Sequence, residues 1–274
     1  WLALDRVGAA AGNVYGATDE GYIADIYYAA SAELTAKAAA VLGRKEEEKQ
    51  YREIAEKQWR VVKEEYFTPT GRCAEKTQTG LLLALKYHLS EDEELTREML
   101  KKLFRESRNK LNTGFVGTPL LCPALTKTGH YKIAVDLLLN EDYPSWLYSV
   151  NLGATTIWER WNSVLPDGKM NPEGMNSLNH YSYGSIEAWM YGDVAGIREA
   201  EPGFRKAVIK PNPDARLKYV DCKMETAAGI YESHWKYEED GSVTYRFHVP
   251  FGAKALICLP DGRTETVAVG DYTY

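Results

Sequence analysis

From Asp19 to about Met190 the apolar positions repeat at intervals of three and four, as in helices with one buried stripe. Beyond about residue 200 they alternate, as in strands. Ile23, Ile26, Tyr27, Ala30, Leu34, Ala38 and Val41 set out a first helix, opened by the acids Asp19 and Glu20 and closed at Gly43. Tyr51, Ile54, Ala55, Trp59, Val62 and Tyr66 set out a second, from about Lys45 to a Thr-Pro-Thr-Gly break. So short a connection makes the two antiparallel. The same rhythm continues through Thr77–His88, Asp92–Phe104, Thr118–Thr126 and Tyr131–Leu139, with Gly-containing breaks between. This predicts a stack of helical hairpins, and the lack of a fixed sequence period gives no support to a tetratricopeptide-type solenoid.

Near Pro202-Gly203 the character changes. Ile230–Tyr237, Val243–Val249 and Ala253–Leu259 read as strands, separated by turn signals at Glu239-Asp240-Gly241, Phe251-Gly252 and Asp261-Gly262. That spacing predicts an antiparallel β-sandwich, so the expected organisation is a helical domain over 1–200 and a β-domain over 201–274.

Composition narrows the function classes. With 45% hydrophobic and 26% charged residues in 274, the chain is an ordinary globular one, long enough to bury a sizeable core. Its 33 basic and 39 acidic residues give a net charge of -6 without a basic block, which argues against nucleic acid as a partner. No run of about 18 apolar residues is present, so no membrane partner is expected. Cys73, Cys122, Cys222 and Cys258 are far apart and lack metal-ligand spacing, so they read as buried free thiols, with no metal and no cofactor expected. The chain opens on an apolar Trp-Leu-Ala-Leu run without Met, which leads us to expect further protein upstream.

Chemistry concentrates between the hairpins and the β-domain. Tyr143–Tyr148, Gly153–Trp161 and Met175–Tyr181 are rich in Trp, Asn, His and Glu, residues that line sites when carried on loops between rigid elements. Glu159, between Trp158 and Trp161, is the candidate acid-base group, its carboxylate facing an aromatic-walled, partly dry cleft. Spacing alone leaves equal room for a structural ion pair with Arg160 or another cation. His180 reads either as a hydrogen-bonded core residue or, with Asn176, Ser177 and Asn179, as part of a group suited to sugar hydroxyls. A Ser-His-Asp triad lacks a GxSxG, and Ser177 is expected to be a helix cap or a hydroxyl contact. Gly12, Gly16 and Gly21 follow no strand, so they form no phosphate loop.

The strings ATTIWERW (Ala154–Trp161), NSLNHYSYGSIEAWMY (Asn176–Tyr191), VAGI (Val194–Ile197) and PGF (Pro202–Phe204) resemble the carboxy-terminal half of the bacterial α-L-rhamnosidases of glycoside hydrolase family 78. WLALD (Trp1–Asp5), the run Gly16–Gly43, TQTGLLLAL (Thr77–Leu85) and TGFVGTPLL (Thr113–Leu121) resemble the family in the same order, so the likeness spans nearly the whole chain. The resemblance implies an (α/α)6 barrel of six-hairpin type, present in part, followed by a carboxy-terminal β-sandwich. It implies cleavage of terminal α-L-rhamnosides with inversion, which needs two carboxyl groups about 6.5–9.5 Å apart. By the same resemblance Glu159 matches the general base and His180 a sugar-hydroxyl contact. Trp1 matches an aromatic wall of the pocket, and Trp146, Trp158, Trp161 and Asn179 are expected around the substrate, a rhamnose-containing oligosaccharide or glycoside.

The family's general acid lies in an acidic motif upstream of anything in this chain. The pattern accounts for about eight helices, fewer than a closed barrel contains, and a base without its acid forfeits a contribution on the order of 10²- to 10⁴-fold. The alternatives are a non-catalytic carbohydrate-binding scaffold and another six-hairpin glycosidase or lyase. A cytoplasmic location, on imported oligosaccharides, is the expectation for compartment, and the sequence leaves the oligomeric state open.

Overall fold

The computed structural model describes residues 1–6 and 14–274, so Gly12 lies outside the described residues. The chain divides into two compact units, Trp1–Tyr183 and Gly184–Tyr274.

The first unit is helical. Helix α1 (Glu20–Val41) and helix α2 (Lys45–Tyr66) form the predicted antiparallel hairpin. Asp19 caps α1 by accepting the Tyr22 N–H at 2.8 Å, which satisfies one of the otherwise unpaired amides of the first turn. Between the two helices, Asp25 accepts from Gln58 (3.0 Å) and from the Tyr66 hydroxyl (3.2 Å), while the Trp59 indole donates to Glu33 at 3.2 Å. Burial and the Asp25 carboxylate push the Tyr66 phenol up to about 12. Helix α3 (Gln78–Lys86) is buried on every side from Gln78 to Leu85, and Thr77 caps it by accepting the Gly80 N–H at 3.0 Å. Helices α4 (Glu93–Glu106), α5 (Thr118–Lys127) and α6 (Tyr131–Leu138) lie within two residues of their sequence-predicted bounds. A short helix, α7 (Trp146–Asn151), sits in the stretch read as loop, nucleated by Ser145, whose hydroxyl accepts the Tyr148 N–H at 3.0 Å.

The second unit opens with α8 (Ile186–Trp189), which widens into a π turn over Met190–Val194. Eight strands follow among the described residues: β1 (Ile197–Glu201), β2 (Lys206–Ile209), β3 (Tyr219–Thr226), β4 (Gly229–Tyr237), β5 (Val243–Val249), β6 (Lys254–Cys258), β7 (Thr264–Val267) and β8 (Gly270–Thr273). They form two four-stranded sheets ordered β1-β2-β6-β7 and β3-β4-β5-β8. Every pairing is antiparallel except β2 with β6, which run parallel with Ala207 opposite Ala255. Strand β1 lies ahead of Pro202-Gly203 and buries only Ile197, so it carries no alternation for sequence reading to find.

Strand β4 turns Tyr231, Ser233 and Trp235 inward. The Tyr231 hydroxyl shares its one proton between the carbonyls of Phe204 (2.8 Å) and Lys254 (3.1 Å), tying the second sheet to the first. Ser233 and the Trp235 indole donate to the carbonyls of Ala195 (2.6 Å) and Val194 (3.0 Å) at the end of the π turn, where Val194 also accepts from Asn212 N–H at 3.4 Å. At Gly196, with φ at +85°, an added Cβ would lie 2.2 Å from the Lys210 carbonyl carbon, so glycine is required both for the turn and for the approach of β2. None of the four cysteines is in a disulfide; Cys73, Cys122 and Cys222 are buried as expected, and Cys258 is partly exposed. No helix among the described residues is long and apolar enough to cross a membrane.

Two outcomes follow from this packing. Tyr231→Phe leaves two inward carbonyls without their donor and is expected to cost about 1–2 kcal/mol, read as a lower melting temperature of the β unit with its circular dichroism unchanged. Helix α1 is apolar on more than its packed face, with Leu34 66%, Val41 89% and Leu42 69% exposed along one flank. The triple variant Leu34→Gln, Val41→Gln, Leu42→Gln is expected to leave the melting temperature within about a degree or two and the helical circular dichroism unchanged, because none of the three side chains is packed.

Candidate functional site

The two chemistry-bearing stretches of the sequence lie side by side. Glu159 N–H donates to the Ser177 carbonyl (2.9 Å) and His180 N–H donates to the Ile157 carbonyl (2.8 Å), so the WERW segment and the NHY segment are fastened together by their backbones. The Thr156 hydroxyl adds a bond to the Leu178 carbonyl. The pairing is reciprocal at one point: Ser177 N–H returns a bond to Glu159 Oε2 at 3.1 Å. Ser177 thus fixes the carboxylate through its main chain. Its hydroxyl accepts from Asn179 N–H at 3.3 Å and caps no helix, which corrects one half of the sequence expectation. The cause is that the chain after Ser177 turns back along Ile157 rather than entering a helix, and the first helical turn waits until Ser182.

Glu159 is half-buried. The ion pair with Arg160 that spacing allowed is made elsewhere: the Arg160 guanidinium binds Glu173 Oε2 at 2.7 Å and the Gly174 carbonyl at 3.2 Å, with its side chain only 12% exposed. Glu173 was not a sequence candidate, because nothing in its spacing tied it to Arg160. Among the described residues, Glu159 Oε1 has no protein partner and no cation lies within ion-pair distance of the carboxylate. One oxygen is therefore held and the other is free to meet a water.

His180 is half-buried and has a defined ring environment. Its imidazole stacks on Phe115 (centroids 4.8 Å apart, 29° between planes) and on Tyr181 (5.2 Å, 10°). Ser182 N–H donates to its Nδ1 at 3.3 Å, so in the neutral ring the proton resides on Nε2, which is thereby a donor. Asn179 is exposed beside it.

The predicted tryptophans separate into two groups. Trp146, Trp158 and Trp161 are buried. Trp146 donates its indole N–H to the Tyr183 carbonyl (2.8 Å) and Trp161 to the Thr113 carbonyl (3.2 Å), and the two rings meet edge to face at 5.2 Å. Trp161 also stacks on Tyr183 at 3.9 Å. Burial, with the Tyr143 and Glu159 charges adding to it, pushes the Tyr183 phenol well above its ordinary range, so it stays a neutral donor, to the Leu2 carbonyl at 3.4 Å. Trp1 is 37% exposed and touches Tyr15 edge-on at 5.7 Å. A small cavity of about 40 Å³ lies beside it, lined by Trp1, Tyr15, Thr18, Glu20, Thr79 and Gly114.

Residues that the sequence did not single out carry the support. Buried Gln78 donates to Ser107 Oγ (3.1 Å) and the Lys110 carbonyl (3.0 Å) and accepts from Asn112 N–H (2.8 Å), fixing the chain that leads into Thr113–Phe115. The one available signal was a polar residue at the head of an otherwise apolar helix. Among the described residues, no three His, Cys, Asp or Glu side chains are grouped as metal ligands.

Residues 1–194 match the bacterial alpha-L-rhamnosidase 6 hairpin glycosidase domain, and residues 196–273 match the bacterial alpha-L-rhamnosidase C-terminal domain. An alpha-L-rhamnosidase of Formosa agariphila is 39% identical over 267 residues, 96% of this chain and 29% of that protein. The crystal structure of an α-L-rhamnosidase from Aspergillus terreus superposes with a TM-score of 0.92 at 31% identity, over 100% of this chain and 32% of that one. A Streptomyces avermitilis alpha-L-rhamnosidase crystallised with L-rhamnose superposes with a TM-score of 0.85 at 32% identity, over 92% of this chain and 26% of that one. The chain thus spans under a third of the length of these relatives. With both domains matched in order and the hairpins and sheets in place, the chain belongs to the bacterial α-L-rhamnosidase family.

Proposed function

We propose that the protein carrying this chain hydrolyses terminal α-L-rhamnosides with inversion, and that Glu159 is its general base. The observation that carries this reading is the state of the Glu159 carboxylate: Oε2 is held by the Ser177 N–H, Oε1 is free, and its cationic neighbour Arg160 is committed to Glu173. A free carboxylate oxygen takes a proton from water as the water oxygen bonds to the anomeric carbon, on the face opposite the departing oxygen. The leaving oxygen receives its proton from a second carboxyl group, contributed by residues outside this chain. His180 binds the sugar: with Nδ1 accepting from Ser182, its Nε2–H donates to a rhamnose hydroxyl. The exposed Trp1 ring offers an apolar face to the sugar. The relative that was crystallised with L-rhamnose supports the substrate class.

In the intact protein, Glu159→Gln is expected to lower kcat on p-nitrophenyl α-L-rhamnoside by at least about 10²-fold with little change in KM, because the amide oxygen still accepts from Ser177 N–H but takes no proton. Sodium azide added to Glu159→Ala is expected to restore part of the turnover and yield the β-rhamnosyl azide. Wild-type turnover in Glu159→Gln, or an α-configured first product, refutes the assignment. His180→Ala is expected to act mainly on KM, since a hydroxyl contact made equally in ground and transition states leaves kcat unchanged.

A further inference from the structure

We propose that Phe115 is a positioning residue for the sugar-binding edge of this site, holding His180 with its ring and Trp1 with its main chain; this rests on the reading of those two residues as rhamnose contacts. Phe115 faces His180 ring to ring at 4.8 Å and 29°, and its backbone N–H donates to the Trp1 carbonyl at 3.1 Å. One residue thus connects two candidate contacts that stand 179 positions apart in the sequence, Trp1 and His180.

The segment around Phe115 is fixed from several sides. Leu4 N–H donates to the Asn112 carbonyl at 2.8 Å, the Trp161 indole holds the Thr113 carbonyl at 3.2 Å, and the buried hydroxyls of Thr113 and Thr118 bond at 2.8 Å. At Gly114 an added Cβ would lie 1.9 Å from the Trp1 carbonyl oxygen, so the two backbones touch at a point where only glycine leaves room. Tyr183 closes the arrangement, meeting the Phe115 ring edge-on at 5.4 Å while its hydroxyl donates to the Leu2 carbonyl.

The ring of Phe115 therefore decides an orientation. An imidazole that among the described residues is hydrogen-bonded only at Nδ1 can still swing about its χ2 axis, because the Ser182 N–H bond at 3.3 Å is long and made by a neighbour in sequence. The flat face of Phe115, acting with Tyr181 stacked on the same imidazole at 5.2 Å and 10°, removes that swing and aims Nε2–H at one place. An aliphatic side chain fills the space without fixing the plane.

The test separates orientation from sugar binding. In the intact protein labelled at histidine nitrogen, with His180→Gln marking the signal, two-bond proton–nitrogen spectra at a pH where the ring is neutral are expected to show a single Nε2–H tautomer for His180. Phe115→Leu and Phe115→Met are expected to give a tautomer mixture, and Phe115→Tyr to keep the single form. In kinetics, Phe115→Leu is expected to raise KM for p-nitrophenyl α-L-rhamnoside by roughly three- to tenfold, the range of an aromatic pair, with kcat little changed and with recovery in Phe115→Tyr. An unchanged tautomer in both aliphatic variants, or equal effects of Tyr and Leu, overturns the proposal. A tautomer mixture with an unchanged KM upholds the positioning by Phe115 and removes His180 from the sugar-binding reading.

Discussion

Two backbone hydrogen bonds, Glu159 N–H to the Ser177 carbonyl and His180 N–H to the Ile157 carbonyl, set the relation between the carboxylate and the imidazole on which the site depends. Neither segment is part of a helix or sheet, so no regular ladder would hold them. Main-chain bonds fix the two side chains within one local frame, and the return bond from Ser177 N–H to Oε2 turns that frame into control of the carboxylate itself. A side chain on a loop gains its orientation in this way, from main-chain bonds that are already made.

Beneath that pair lies an aromatic layer with a different task. Trp146, Trp161 and Tyr183 are buried, satisfy their polar atoms on backbone carbonyls and pack against one another edge to face and ring on ring, so they form an aromatic floor. Buried indoles and phenols are tolerated because each N–H or O–H finds an acceptor. The acceptors are informative: Tyr183, Thr113 and Leu2 belong to three separate parts of the helical unit, and the floor draws them together. Arg160 and Glu173 serve the same end electrostatically, since a cation committed to Glu173 leaves Glu159 uncompensated.

The β unit follows the same economy of polar atoms. Tyr231, Ser233 and Trp235 from one inward face of β4 all donate to main-chain carbonyls, at the end of the π turn and between the sheets. The parallel pairing of β2 with β6 is possible because a long stretch, including β3 to β5, connects them.

Local periodicity was enough to place helices α1 to α6, to within two residues, and strands β4, β5 and β6, because burial of one face imposes a period that a single stretch of sequence carries by itself. The WERW and NHY strings likewise made Glu159 and His180 candidates. Periodicity does not say what stands opposite an apolar or charged face. That Arg160 turns to Glu173, that Trp146 and Trp161 commit their indoles to carbonyls, that β2 runs parallel to β6, and that Phe115 lies on His180 are facts about partners distant in the chain. The Tyr183 hydroxyl and the Leu2 carbonyl are 181 positions apart. Such pairs are selected by the packing of whole elements, so only the tertiary structure decides them.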